Sequence, residues 1–396
     1  MNIRLPHEAV PAAACHDRAE RVQGRVIAAF EALVPMRDEW NRLADRSYTN
    51  TVFQTYEFHA SWWTAFGSTG QLRVLLAENQ EGLIGIAPLM LTTRHVFGRA
   101  RRVMEFIGAR SFDYTDFIID RTRTEVLTLL FGMLDTLEPP FDLLYLRDIP
   151  GDSITLPELR RFFAKRGKPS DVRLLYEAPS RIFSDPAEDR QLPNKKSLKR
   201  HYNYFQRSGD LQCKHCVTSD EVMQHLESFF EQHVRRRAAT DTPSVFVDAR
   251  ARVFFRELTR ALTPKGWLLF SVVSFNRDRI AMHFGFEYGG RITWYKPAFD
   301  IAYAKHSPGE VLIKFLLEYA LARKARELDF TIGAEPFKYR FANHVRSNYV
   351  VRVFPRWLPY FMTRLVLDAK DLVQRSPLLT RFARAAMRRW RDQVSM

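Results

Sequence analysis

The strongest constraint on this chain is an order of helix and strand patterns that occurs twice. Residues 142–150 (DLLYLRDIP) and 328–336 (LDFTIGAEP) echo one another about one domain length apart. A similar succession precedes each. In the first half, helical spacing covers 36–46 and 57–66, and a hairpin pairs 72–78 with 83–91 across Asn79-Gln80-Glu81-Gly82. Short strands at 103–107 and 117–119 and an amphipathic helix over 124–137 lead to a buried strand at 141–146. The second half restarts with helices over 220–237 and 248–262. A three-strand meander follows, at 267–275, 279–288 and 292–297, turning at Asn276-Arg277-Asp278 and Gly289-Gly290. A loop, a helix over 309–324, a strand over 328–332, a short helix from Pro336 and a strand over 349–354 complete the pattern. The expectation is an α/β chain, mixed α+β in detail, built by internal duplication.

Composition supports two cores. The chain has 396 residues, of which 46% are hydrophobic and 13% aromatic. That content excludes a disordered or collagen-like chain. Three cysteines (Cys15, Cys213, Cys216) exclude a disulfide-stapled one and point to a reducing compartment. The formal charge of +15 suits RNA or an anionic membrane surface, and twelve of those charges fall in two places. Residues 190–207 carry six basic residues and no acid, interleaved with Tyr202, Tyr204 and Phe205, and read as a basic helix bridging two domains. Residues 356–396 carry nine basic residues and three acids among Trp357, Leu358, Phe361, Leu365 and Trp390. Helical spacing makes them a basic amphipathic tail suited to anionic lipid or a protein partner. The expected layout is a loose, disordered leader over 1–24, a first domain over 25–178, the bridge and a second domain over 179–355, and the tail. No apolar run approaches the length that crosses a bilayer, and residues 1–15 lack a signal peptide's apolar stretch. The expected location is therefore cytoplasmic, with the tail allowing a peripheral position at the inner membrane.

Chemistry-bearing residues gather in the second half. Alternation along 279–288 places Ile280, Met282, Phe284, Phe286 and Tyr288 on one face and Ala281, His283, Gly285 and Glu287 on the other. Such a small polar face meets solvent or borders a ligand. The helix at 309–324 opens on His306-Ser307-Pro308-Gly309, with Glu310 in its first turn and Lys305 just before. Its unpaired N–H groups and partial positive charge suit phosphate, Gly309 allows close approach, and Ser307 can cap. An ordinary helix start has the same composition. In Asp329-Phe330-Thr331-Ile332-Gly333, alternation sends Leu328, Phe330 and Ile332 to the core and Asp329, Thr331 and Gly333 to the opposite face. Asp329 and Glu335 could act on protons, and Lys338 could bind phosphate; structural ion pairs are the plainer reading. Cys213-Lys214-His215-Cys216 has half a zinc site's spacing without a second pair, so no metal is expected. No nucleophile elbow, Walker loop or dinucleotide fingerprint is present.

The order helix, helix, three-strand meander, helix, strand, helix, strand resembles the GNAT acyltransferase fold. Within it, the chain resembles the CelD/BcsL type linked to cellulose and exopolysaccharide biosynthesis. The residues carrying the resemblance are Val52-Phe53-Gln54-Thr55-Tyr56-Glu57-Phe58, Gly85-Ile86-Ala87-Pro88-Leu89, Leu192-Pro193-Asn194-Lys195-Lys196, Ser307-Pro308-Gly309 and Asp329 to Gly333 with Lys338. Together they span roughly 26–355. The resemblance implies tandem GNAT-like domains, each a mixed, mostly antiparallel sheet flanked by helices. It implies transfer from acetyl-CoA or another acyl-CoA to a small-molecule or saccharide acceptor, without a metal. The donor's pyrophosphate would rest on Lys305, Ser307, Pro308, Gly309 and Glu310, and its arm between the strands at 292–297 and 328–332. Asp329, Glu335, His283 and Lys338 are the implied catalytic candidates. Ser-Pro-Gly departs from the glycine- and arginine-rich phosphate loop of typical members. The first half has Asp120-Arg121-Thr122-Arg123-Thr124 at the equivalent place, without glycine, so it is expected to shape the acceptor cleft. The same architecture resembles the Fem-type aminoacyl-tRNA-dependent transferases, whose partner would be RNA held by the basic bridge. A non-catalytic role in a polysaccharide synthesis assembly is a third reading.

Overall fold

The computed structural model describes residues 22–96, 99–238, 240 and 242–375. The expected leader, apart from residues 22–24, and the tail beyond 375 lie outside the described residues. In the first half the strands are β1 (Gln23–Ile27), β2 (Gln71–Leu72), β3 (Val74–Asn79), β4 (Gly82–Ala87), β5 (Leu89–Val96), β6 (Arg99–Phe106), β7 (Ile118–Ile119), β8 (Leu143–Pro150) and β9 (Ser170–Ile182). In the second they are β10 (Leu211–Cys216), β11 (Leu268–Phe275), β12 (Asp278–Tyr288), β13 (Arg291–Phe299), β14 (Glu327–Asp329) and β15 (His344–Val353). The helices are α1 (Arg37–Arg46), α2 (Tyr56–Phe66), α3 (Val126–Asp135), α4 (Thr155–Lys165), α5 (Pro186–Asp189), α6 (Lys196–Ser208), α7 (Ser219–Ala238), α8 (Ala249–Leu262), α9 (Pro308–Ala322), α10 (Pro336–Tyr339) and α11 (Trp357–Arg375).

The meander β11–β13 forms as the alternation indicates, with Gly289 and Gly290 both at positive φ in its second turn. Alternate residues divide between two layers. Phe270 and Val272 join the core under α7 and α8, whereas Leu269 and Val273 join the core under α6 and α9. The small polar face of β12 is therefore covered rather than solvated. In the first half, Pro88 ends β4, and the chain continues as β5 in a different sheet, so the expected hairpin arm over 83–91 is two strands. The proline lacks the N–H a continuous ladder needs.

The two halves exchange their last strands. The larger sheet runs β10-β11-β12-β13-β14-β9-β15-β8-β6-β5-β2. Thus β14 of the second half pairs with β9 of the first, and β15 of the second lies between β9 and β8. Val351 and Val353 of β15 are buried in the first half's core with Leu130 and Phe131 of α3 and Leu159 of α4. The expected domain boundary at 178/179 falls within β9. On the other side, α2 packs on α8 through an aromatic seam: Phe58 lies 5.6 Å from Phe254 and 5.4 Å from Phe286, and Phe53 lies 5.5 Å from Tyr295. Edge-to-face pairs of this kind add about 0.5–1.5 kcal/mol each beyond area burial. The halves are one packed body.

Candidate functional site

The site is built where β13 and β14 part. They pair in parallel at Arg291–Glu327, Ile292–Leu328 and Thr293–Asp329. Beyond this point β13 continues beside β12, while the Phe330 N–H donates to Pro179 O of β9 (3.0 Å). The chain then makes a left-handed step: Thr331 has φ +56° and Gly333 has φ +121°. A β-branched residue avoids that region, so the conformation is held from outside. The Thr331 N–H donates to Asp329 Oδ1 (2.8 Å) and its hydroxyl to Trp294 O (3.1 Å). Lys338 Nζ donates to Ile332 O (2.8 Å) and Thr331 O (3.3 Å) and lies 2.9 Å from Glu335 Oε2. Lys338 thereby clamps the turn from α10.

Beside this step lies a cavity of about 220 Å³, whose walls include Arg236, Trp294, Phe299, Ser307, Gly309 and Phe337. The N-terminus of α9 opens into it. Ser307 is left-handed (φ +52°) and its side chain caps no N–H, and Pro308 fills the first helical position. A Cβ at Gly309 would meet only Phe299 Cδ1, at 3.7 Å, so the wall is open there. Arg236, at the end of α7, lies over the Phe299 ring (4.5 Å) and donates to Pro297 O (2.7 Å). It belongs to none of the ion pairs found among the described residues, and burial with the neighbouring Arg237 pulls its pKa to about 10. A half-buried guanidinium outside any ion pair among the described residues, next to a helix N-terminus, has the chemistry that suits an anion.

The residues expected from the sequence divide. Ser307, Pro308, Gly309 and Glu310 line the cavity, and Glu310 is tied to Arg340 (2.7 Å). Lys305 is exposed on the turn Ile301–His306 and does not line it; the cations in the wall are Arg236 and the Glu310-paired Arg340. Glu335 is half-exposed on the α10 side. His283 is fully enclosed. Its Nε2 accepts the Tyr295 N–H (3.3 Å), its ring stacks on Trp294, and its Nδ1 has no partner among the described residues. Burial, then the nearby His215, pulls its pKa to about 3, so the ring is neutral. It sits behind Trp294, does not line this cavity and suits positioning rather than proton transfer. Asp329 is also enclosed. Its Oδ1 accepts the Tyr114 hydroxyl (2.9 Å), and burial and the charge of Glu327 push its pKa up. Burial alone would raise Glu327, but Arg346 and Arg291 (2.9 Å to its Oε2) hold it at about 2. Asp329 is thus part of the seam between the halves.

Two contributions escaped the sequence. The first half inserts the segment 108–117 against the splay: Tyr114 reaches Asp329, Tyr295 donates to Ser111 O (2.5 Å), and Asn348 donates to Asp113 O (2.8 Å). Lys296, on β13, carries its ammonium 3.9 Å from the Tyr295 ring, and burial lowers its pKa although Asp113 opposes the shift. At the turn before α9, Tyr204 of α6 stacks on His306 at 3.7 Å, which ties that turn to the basic helix. Arg236 was hidden in the run Arg235-Arg236-Arg237, where nothing local marks one arginine as buried.

Residues 194–339 match the family described as "Acetyltransferase (GNAT) domain". The crystal structure of FemX aligns over 86% of this chain and 99% of its own, with a TM-score of 0.58 at 10% identity. A conserved protein of unknown function from Bacteroides thetaiotaomicron VPI-5482 aligns over 84% of this chain and 100% of its own, at 0.53 and 12%. A tandem GNAT protein from the clavulanic acid biosynthesis pathway covers 84% of this chain and 98% of its own, at 0.45 and 11%. No curated protein matches the sequence. Residues 194–339 thus resemble a GNAT acetyltransferase domain, and the whole chain shares the mixed α/β fold of FemX.

Proposed function

We propose that the chain transfers an acyl group from acyl-CoA to an amine or hydroxyl of a saccharide or saccharide-linked precursor, as in the CelD/BcsL type. The observation that carries the donor assignment is the cavity joining the N-terminus of α9, which no Ser307 side chain caps, to Arg236, which has no ion pair among the described residues. The backbone around Gly309 and Arg236 would hold the donor's phosphates, and the splay would orient its arm. The new bond forms from the acceptor's nitrogen or oxygen to the acyl carbon as the thioester bond breaks, and one proton must leave the acceptor. Of the sequence-derived proton carriers, Glu335 reaches solvent on this side, whereas Asp329 and His283 support the walls. Among the described residues, no cluster of metal-ligating side chains occurs.

Calorimetry with acetyl-CoA tests the donor site. Arg236→Ala should weaken binding by roughly tenfold or more, and Gly309→Glu should abolish it. Unchanged binding in both variants would sink the assignment. A second reading, an aminoacyl-tRNA donor, is favoured by the Tyr204–His306 stack, which sets the basic face of α6 beside the donor turn. Salt-sensitive binding of charged tRNA, with no heat from acetyl-CoA, would select it.

A further inference from the structure

Helix α11 is tied to the body at two points: Tyr360, buried, packs against Phe354 (5.8 Å), and Asp368 pairs with Arg173 of β9 (2.6 Å). Turned away from Tyr360 are Trp357, Leu358, Phe361, Met362 and Leu365, each half to three-quarters exposed. At 100° per residue these five fall within one stripe. Single exposed apolar residues are ordinary, but a contiguous stripe beginning with a tryptophan marks an interaction surface.

We propose that this stripe lies on an anionic lipid bilayer, with α11 in the plane of the interface. Charge decides between occupants. Arg356, just before the helix, and Arg364, on it beside Asp368, are exposed, and the sequence over 376–396 adds five arginines against one aspartate. Pairing with a second copy would bring those like charges together, whereas an anionic surface neutralises them while taking up the apolar side chains. Among the described residues no helix is long and apolar enough to cross a membrane, so the contact proposed is peripheral.

Co-sedimentation of the full chain with phosphatidylglycerol or phosphatidylcholine vesicles tests this. Binding is expected to the phosphatidylglycerol vesicles, weakening as salt rises. The double substitution Leu358→Asp with Phe361→Asp should reduce it about tenfold or more without moving the thermal unfolding midpoint. Three results would overturn the proposal. They are no binding to either vesicle, binding that the double substitution leaves intact, and a dimer that the substitution dissociates in the absence of vesicle binding.

Discussion

Thr331 and Ser307 both hold left-handed backbone that their side chains disfavour, and both border the proposed donor cavity or the splay beside it. Each such conformation costs about 1–3 kcal/mol and persists only when its surroundings over-determine it. For Thr331 the determinant is Lys338, whose buried ammonium holds two carbonyls of the turn. Lys338→Met should lower unfolding stability by about 1–3 kcal/mol and loosen acetyl-CoA binding together, as urea titration and calorimetry would show. The buried imidazoles set a pH dependence. Burial pulls His59 to about 4, burial with nearby Arg237, Lys296 and Arg236 pulls His233 to about 3, and burial beside His215 pulls His283 to about 3. These rings are neutral in the folded chain but take a proton below about pH 6.5 once unfolded. Their share of stability is therefore complete above that pH and is lost as pH falls, about 2 kcal/mol each by pH 5. Denaturant unfolding at pH 7, 6 and 5 should show the decline, and His283→Gln should flatten it by close to one proton. An equal slope in the variant would mean that His283 is not neutral when folded.

Strand β12 shows how closely an element can be fitted to its neighbours. A Cβ at Gly285 would stand 2.0 Å from His283 Cε1 and 2.3 Å from Thr293 O, so the strand is thinned where the imidazole tucks in behind Trp294. Gly285→Ala should cost about 1–3 kcal/mol in urea unfolding, since one of the obstacles is backbone. The meander containing Gly285 was legible because its faces alternate and its turns carry Asn276-Arg277-Asp278 and Gly289-Gly290. Helix α9 was legible from Ser307-Pro308-Gly309. β9 was not. Its sequence, SDVRLLYEAPSRI, mixes charges and a proline into a strand whose place is set by partners from the other half. Helix α4 was missed as well, although Leu156, Leu159 and Phe163 are spaced to bury one face. Pairing as distant as His344 with Ser180 leaves no local trace, and neither does the choice of one arginine among three at 235–237.

For the whole molecule, the exchange of β9 and β15 makes each half incomplete without the other. A fragment ending near residue 184 would lack Val351 and Val353 from its core and leave β8 without β15. Expressed alone, each fragment should be insoluble or lack a cooperative unfolding transition; co-expressed, the two should assemble and recover acetyl-CoA binding. Independent folding of either fragment, seen by calorimetric melting, would mean that the exchange is dispensable. The duplication itself was visible in the two echoing segments, and so was the tandem arrangement. The sequence places the two units side by side, whereas the structure interleaves them.

The same exchange governs how the chain must be made. When β9 leaves the ribosome, β8 has just been synthesised and its future neighbour β15 lies about 170 residues downstream. Until β15 is made, the edges of β8 and β9 that it joins have no native partner, so the first half presents two open strand edges while the intervening residues are synthesised.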